Sequence, residues 1–174
     1  MSDIKLLIEK LNEGVKLPER AHTTDSGFDL YAENITRIYV HGGGNGEAML
    51  SGEQLKRRID GTELTLSYLE RALIGTGIKA TVGTGYEIQI RPRSGLAVKE
   101  GLTVLNTPGT IDEGYRDEIG VIIVNLSRAD KTIKRGDRIA QLVVTPVILP
   151  EIEVVNTLPA PNSKRDGGFG STGS

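Results

Sequence analysis

Ile78-Lys-Ala-Thr-Val-Gly-Thr-Gly-Tyr-Glu-Ile-Gln-Ile-Arg-Pro92 sets the rhythm of the chain: two short apolar runs, Ile78–Val82 and Tyr86–Ile90, parted by Gly83 and Gly85. Ile88 and Ile90 alternate with polar residues, and Pro92 removes the next ladder donor, so the pattern predicts a strand that stops there. Working outward, Ala72–Ile74 lies upstream, and Leu102–Leu105, Ile119–Leu126 and Ile139–Val147 repeat the pattern downstream. Val, Ile and Thr supply 12, 17 and 15 of the 174 residues, and 22 are Gly. Such β-branched side chains suit a pleated surface, while glycines supply its turns. The spacing predicts an all-β sandwich or jelly roll rather than alternating βαβ units. No fixed-period repeat accompanies it.

Three stretches leave this rhythm. Ile4, Leu7, Ile8 and Leu11 fit a helical face, yet Ile4, Leu6 and Ile8 alternate equally well, so periodicity leaves both open. Residues 41–62 open on the flexible tip His41–Gly46. Ser51-Gly-Glu-Gln54 then forms a capping-box pattern for one short helix that Gly61 ends. From Leu158 the chain turns to Pro159, Pro161 and a run of glycines, which reads as a linker and a mobile arm.

Composition narrows the class. Twenty-one Lys and Arg against 23 Asp and Glu leave a net charge of -2, which argues against a broad basic surface for nucleic acid. Cysteine is absent, excluding disulfides and thiolate ligands. No apolar run approaches the ~18 residues of a membrane helix, and MSDIKLLIEK carries acids unlike a secretion signal. A single-domain, cytoplasmic protein is the expectation.

Four segments could carry chemistry, and each also has a plain reading. Arg91-Pro-Arg93-Ser94-Gly95-Leu96 offers guanidinium forks and a hydroxyl to phosphate oxygens, or is a turn with surface arginines. Asn106-Thr-Pro-Gly-Thr-Ile-Asp112-Glu-Gly-Tyr115-Arg116 looks like a β-hairpin bent at Pro108-Gly109. Its backbone could read a flat ring by its edge, Asp112 could take a proton from water, and Tyr115 could offer a ring face. The plain reading is a hairpin with a solvated acid. In Lys134–Leu142, alternation puts Gln141 on one face with Ile139 and Val143, where an amide needs a partner or a ligand. Arg165-Asp-Gly-Gly-Phe169-Gly-Ser171-Thr172-Gly173 combines a cation, an aromatic plane, hydroxyls and nest-forming glycines, or is a disordered end. The Gly42–Gly46 run lacks the Gly-Lys-Ser/Thr ending of a P-loop.

Order and spacing say more than any one segment. Thr24–Ala32, Arg91–Ala97, Asn106–Glu118, Gly136–Val143 and Arg165–Gly173 together resemble the five motifs of the trimeric dUTPases, over nearly the whole chain apart from about residues 41–65. The resemblance implies a distorted jelly roll of the dUTPase-like β-clip type spanning 1–157, with a flexible C-terminal arm over 158–174 and three shared active sites in a homotrimer. It implies hydrolysis of dUTP to dUMP and pyrophosphate with Mg²⁺, which keeps uracil out of DNA and supplies dUMP for dTTP synthesis.

On the same analogy Asp112 is the general base for in-line attack on the α-phosphorus. Asn106, Gly109, Thr110 and Ile111 read uracil, and Tyr115 packs on the deoxyribose. Arg93, Ser94, Gly95 and Gln141 hold the phosphates, and Asp29 orients hydrated Mg²⁺ through water. Phe169 covers the uracil with Gly170 beside it, and Arg165, Ser171 and Thr172 close on the γ-phosphate.

This sequence also departs from the family pattern. Phe28 stands where Tyr is common, Asp117 replaces a common Gly, and Lys164 rather than Arg165 has the usual five-residue register to Phe169. The stretch 41–65 is longer than the usual link and reads as a removable surface excursion. Two alternatives follow. One is a dCTP deaminase of the same fold. The other is a nucleotide-responsive regulatory protein that binds a protein partner through residues 41–65, in host cytoplasm if the chain is viral.

Overall fold

The computed structural model describes residues 4–42, 46–50, 53, 58–60 and 63–162. All strand pairing is antiparallel. A five-stranded sheet runs in the order β10 (Leu102–Val104), β12 (Gly120–Asn125), β7 (Arg71–Gly75), β3 (Asn34–Gly42), β4 (Gly46–Leu50). A four-stranded sheet runs β11 (Gly109–Ile111), β9 (Tyr86–Arg91), β14 (Arg138–Pro146), β2 (Gly27–Tyr31). Two smaller sheets complete the shell: β13 (Lys131–Lys134), β6 (Glu63–Leu66) and β5 (Ile59–Asp60), then β1 (Leu7–Lys10) with β8 (Ile78–Thr81).

The core joins the inward faces of these sheets into one cluster. Ile38, Ala72, Ile74, Val121 and Ile123 come from the five-stranded sheet, and Leu30, Ile88, Ile90, Ala140 and Leu142 from the four-stranded one. Alternation explains the registers, because a one-residue slip would turn Ile88 and Ile90 outward. The jelly-roll-like, nearly all-β architecture agrees with the sequence reading. At the N-terminus the strand alternative holds, with β1 paired to β8 from Leu7↔Thr81 to Lys10↔Ile78. Leu6 and Ile8 pack on the core while Leu7 stays exposed.

Four expectations need correction. Leu102–Val104 and Gly109–Ile111 do not form a hairpin with each other: β10 pairs with β12 and β11 with β9, in different sheets. The Thr107–Pro108 peptide is cis, and the long connector between β10 and β12 reaches across the sandwich. Crossing satisfies both layers, since Val104 and Ile111 each bury in the common core. Secondly, Ile139 and Gln141 do not share a face. The β14 register shifts between Arg138 and Ala140, so Ile139 joins Ala140 and Leu142 in the core while Gln141 faces out.

Thirdly, the stretch 41–65 is not wholly a surface excursion. Leu64 is fully buried within β6, and the Arg58 guanidinium is paired to Glu70 at 2.7 Å. Removing the stretch would therefore open the core. Most of the helix expected from Ser51 lies outside the described residues. Fourthly, a helix, α1 (Ser94–Glu100), follows β9 where sequence reading saw only a turn. Gly101 ends it at φ 66°, a left-handed conformation that suits glycine, and its N–H bonds the Ala97 carbonyl.

Candidate active site

Asp29, Arg93 and Arg138 come from β2, the β9–α1 turn and the start of β14, and meet because β14 lies beside both β2 and β9. Asp29 Oδ1 accepts from Arg93 Nε at 2.8 Å and Oδ2 from Arg138 Nη1 at 3.1 Å. The carboxylate is 13% exposed, so both oxygens exchange water for guanidinium and lock two cations into one orientation. Arg93 also donates to the Arg138 carbonyl at 3.4 Å. Gln141, next along β14's outward face, donates Nε2 to the Pro92 carbonyl at 3.2 Å and fixes the turn before Ser94.

These groups line one cavity of about 460 Å³, with Asp25, Ser26, Gly27, Arg91, Ser94 and Gly95 among its walls. Three arginines against two aspartates leave one net positive charge among the lining residues. A Cβ built on Gly95 meets nothing within 4 Å, so the protein itself leaves room there. Gly27 differs: a Cβ there would lie 2.6 Å from Gln141 Oε1. The backbone of β2 is thus pared down to let the Gln141 amide sit over it.

The remaining expected residues lie on the connector between β10 and β12. Leu105 N–H bonds Ile122 O at 2.9 Å at its start, and buried Gly109 pairs with Ile90. A Cβ on Gly109 would come 3.3 Å from Asn106 Nδ2, so the Asn106 amide lies close over that backbone. Asp112 follows β11 on an exposed turn closed by Tyr115 N–H to the Asp112 carbonyl at 3.0 Å. Tyr115 is half-buried, packs on the core and donates its hydroxyl to Glu118 O at 2.8 Å. Burial, then the Asp117 and Glu118 carboxylates, push its pKa above the ordinary 10.0, so the phenol stays neutral across the physiological range.

One chain therefore presents two groups. Asp29, Arg93, Ser94, Gly95 and Gln141 share the cavity, whereas Asn106, Asp112 and Tyr115 are not among its walls. Along β11 the register runs from Gly109↔Ile90 to Ile111↔Ile88, carrying Asp112 away from the Arg91 end of β9. Arg165, Phe169, Gly170, Ser171 and Thr172 lie outside the described residues. Sequence reading had Arg91 beside Arg93 as a guanidinium for phosphate, but missed Arg138 as a cavity wall and Gly27 as a spacer. Arg138 carried a signal in its place three residues before Gln141, but it resembled an ordinary charged turn.

The family model described as dUTPase matches residues 61–173. The deoxyuridine 5'-triphosphate nucleotidohydrolase of Clostridium novyi (strain NT) is 42% identical over 170 residues, 98% of this chain and 99% of that protein. That of Hydrogenobaculum sp. (strain Y04AAS1) is 43% identical over 171 residues, again 98% and 99%. Such two-way coverage means that this chain and these relatives are of nearly equal length. The Staphylococcus bacteriophage 80alpha dUTPase with dUPNHPP superposes with a TM-score of 0.70 at 24% identity, over 98% of this chain and 99% of that one. A variant dUTPase from phage phi11 of S. aureus, described with a structural Mg(II) ion, gives 0.67 at 24% identity, over 90% and 99%. At that identity the structures speak for the fold.

Proposed function

Because the chain belongs to the dUTPase family, we infer that it hydrolyses dUTP to dUMP and pyrophosphate. The arginine-walled cavity is the phosphate-binding half of the site. Arg93, Ser94, Gly95 and Gln141 hold the triphosphate, and the Asp29 carboxylate keeps Arg93 and Arg138 aimed before substrate arrives, so little reorganisation remains for the reaction. The connector supplies the other half. Asn106 and the backbone of Gly109, Thr110 and Ile111 read the uracil edge, Tyr115 packs against the sugar, and Asp112 takes a proton from the attacking water. A backbone reader suits this choice, since a mismatched donor in a closed site discriminates far better than an apolar pocket does. Phe169, Gly170, Arg165, Ser171 and Thr172 close the site from the arm over 158–174. Cytoplasm, or host cytoplasm for a virus-borne copy, is the setting we assign.

Magnesium fits this cavity as a passenger of the substrate. A triphosphate carries roughly three to four negative charges against one net positive charge on the walls. Among the described residues no cluster of three His, Asp or Glu could cage an ion, and both Asp29 oxygens are committed to arginines. Asp29 would hold a hydrated ion through its water, and the bound ion would neutralise phosphate charge.

The observation that carries the site assignment is the separation of the two halves within one chain. It is explained by a homotrimer in which one copy's Asp112 faces a neighbour's phosphate cavity. Residues 147–162 support assembly: Ile148, Ile152 and Val154 are each more than 90% exposed on a segment without regular structure. Burying one such side chain stabilises by about 1.5–3 kcal/mol, so a second copy is the natural cover. The test is complementation. Asp112→Asn and Gln141→Ala chains, each inactive or nearly so alone, are refolded together, and pyrophosphate release from dUTP is measured. Recovered turnover supports shared sites; none, despite mixed oligomers, refutes them. Ammonia released from dCTP in the same assay would instead establish the deaminase reading, which the names of the relatives do not favour.

A further inference from the structure

We propose that Arg116 and Thr81 form a clamp that positions Asp112 for proton abstraction. This rests on Asp112 being the base. Asp112 sits on an exposed turn that Tyr115 anchors from its far end, while Gly114 between them adds no packing: a Cβ there would meet nothing within 4 Å. The Tyr115 anchor alone leaves the Glu113–Gly114 part of the turn to be fixed by other groups.

The Glu113 carbonyl, on the residue after Asp112, is gripped from two directions. Thr81 Oγ1 of β8 donates to it at 2.8 Å, and Arg116 Nη1 donates to it at 2.5 Å. Arg116 Nη1 also reaches the Tyr115 carbonyl at 2.8 Å and Thr81 Oγ1 at 3.4 Å. Thr81 has a single hydroxyl proton and two carbonyls in range, Glu113 at 2.8 Å and Val82 at 3.3 Å; with the shorter bond made to Glu113, its lone pairs accept from Arg116 and the three groups close into a ring. That ring ties the turn to β8, itself braced by β1 through the Leu7↔Thr81 pair. A guanidinium spent on main-chain carbonyls is acting on geometry. Water aligned for in-line attack tolerates little error, and a displacement near 1 Å can cost about 100-fold in rate.

The experiment compares Arg116→Met, Thr81→Val and Thr81→Ser in the full chain, reading kcat, KM, the pH dependence of kcat and affinity for a non-hydrolysable dUTP analogue. Positioning predicts that Arg116→Met lowers kcat about 10- to 100-fold and Thr81→Val about 3- to 10-fold. KM and analogue affinity should stay within about threefold of the unmodified protein, and the shape of the pH profile should not change. Thr81→Ser should recover most of the loss. An Arg116→Met protein with unchanged kcat overturns the clamp. So does one whose kcat, analogue affinity and melting temperature fall together, or a Thr81→Ser as impaired as Thr81→Val. Asp112→Asn in the same series separates the two levels: full turnover there removes the base assignment, whereas its loss beside an active Arg116→Met removes only the clamp.

Discussion

Replacing Gly27 with alanine should weaken nucleotide binding while barely touching the fold. The new Cβ would lie 2.6 Å from Gln141 Oε1, 3.4 Å from Gln141 Cβ and 3.5 Å from its Cδ, so only the amide end is in true conflict. To reach ordinary contact the oxygen must retreat by roughly 0.7 Å. The Gln141–Pro92 hydrogen bond, already 3.2 Å long, will not survive that shift. For the fold, one such bond is worth about 1 kcal/mol, or about 2–4 °C in melting temperature at this chain length. For the site, the amide's bond to a charged phosphate is worth about 1.5–3 kcal/mol, a loss of roughly 10- to 150-fold in affinity. Calorimetric titration with an imido analogue of dUTP reads that loss directly. Gln141→Ala should reproduce it, and Gly27→Ala combined with Gln141→Ala should add nothing further. A Gly27→Ala protein that binds the analogue within twofold of the unmodified chain would show that the Gln141 amide does not hold phosphate, and the reasoning would fail.

Two further outcomes are expected. The raised Tyr115 pKa means that the folded chain holds the phenolic proton more tightly than the unfolded chain. Its stabilising contribution is therefore complete below pH 10 and lost as pH rises through the folded value. Ultraviolet titration of tyrosinate should show Tyr115→Phe removing a component that titrates above 10, with a shallower alkaline fall in melting temperature; a component at or below 10 contradicts the burial argument. Truncation before Lys164 removes the cation, aromatic and hydroxyls assigned to closure but leaves the whole described β domain. Turnover of dUTP should fall by at least tenfold with melting temperature and oligomer size unchanged, and a fully active truncated chain would retire the arm from the mechanism.

Periodicity reported what periodicity can carry. Ile88 and Ile90 on β9 announce an inward face because one side of that strand is core and the other is not. It failed where the structure breaks period two. The shift in β14 sends Ile139 inward beside Ala140, and no local pattern distinguishes that from clean alternation. The α1 helix buries none of its residues completely, so it leaves no clear apolar stripe to read. Sheet membership is more remote still: whether Gly109–Ile111 pairs with its neighbour in sequence or with β9 is settled by what lies across the sandwich.

The candidate site was legible as chemistry and illegible as a place, for a related reason. Residue types at fixed spacing disclosed which groups could handle a phosphate and which carboxylate could take a proton. Spacing could not disclose that Asp29 spends both oxygens on guanidiniums, because that depends on β2 and β9 flanking β14. Nor could it disclose that Asp112 is not among the walls of the arginine cavity of its own chain. A carboxylate base and the phosphate it serves must lie within one water's reach, and here the register of β11 runs away from the Arg91 end of β9 and leaves the proposed base, Asp112, off the walls of the arginine cavity. Either the base assignment is wrong or a second copy supplies the cavity. The exposed aliphatic side chains of residues 148–158 weigh on the same side, since nothing among the described residues covers them. On the proposed reading assembly is a condition of catalysis, and dilution below the dissociation range of the proposed trimer should abolish turnover in step with loss of the oligomer.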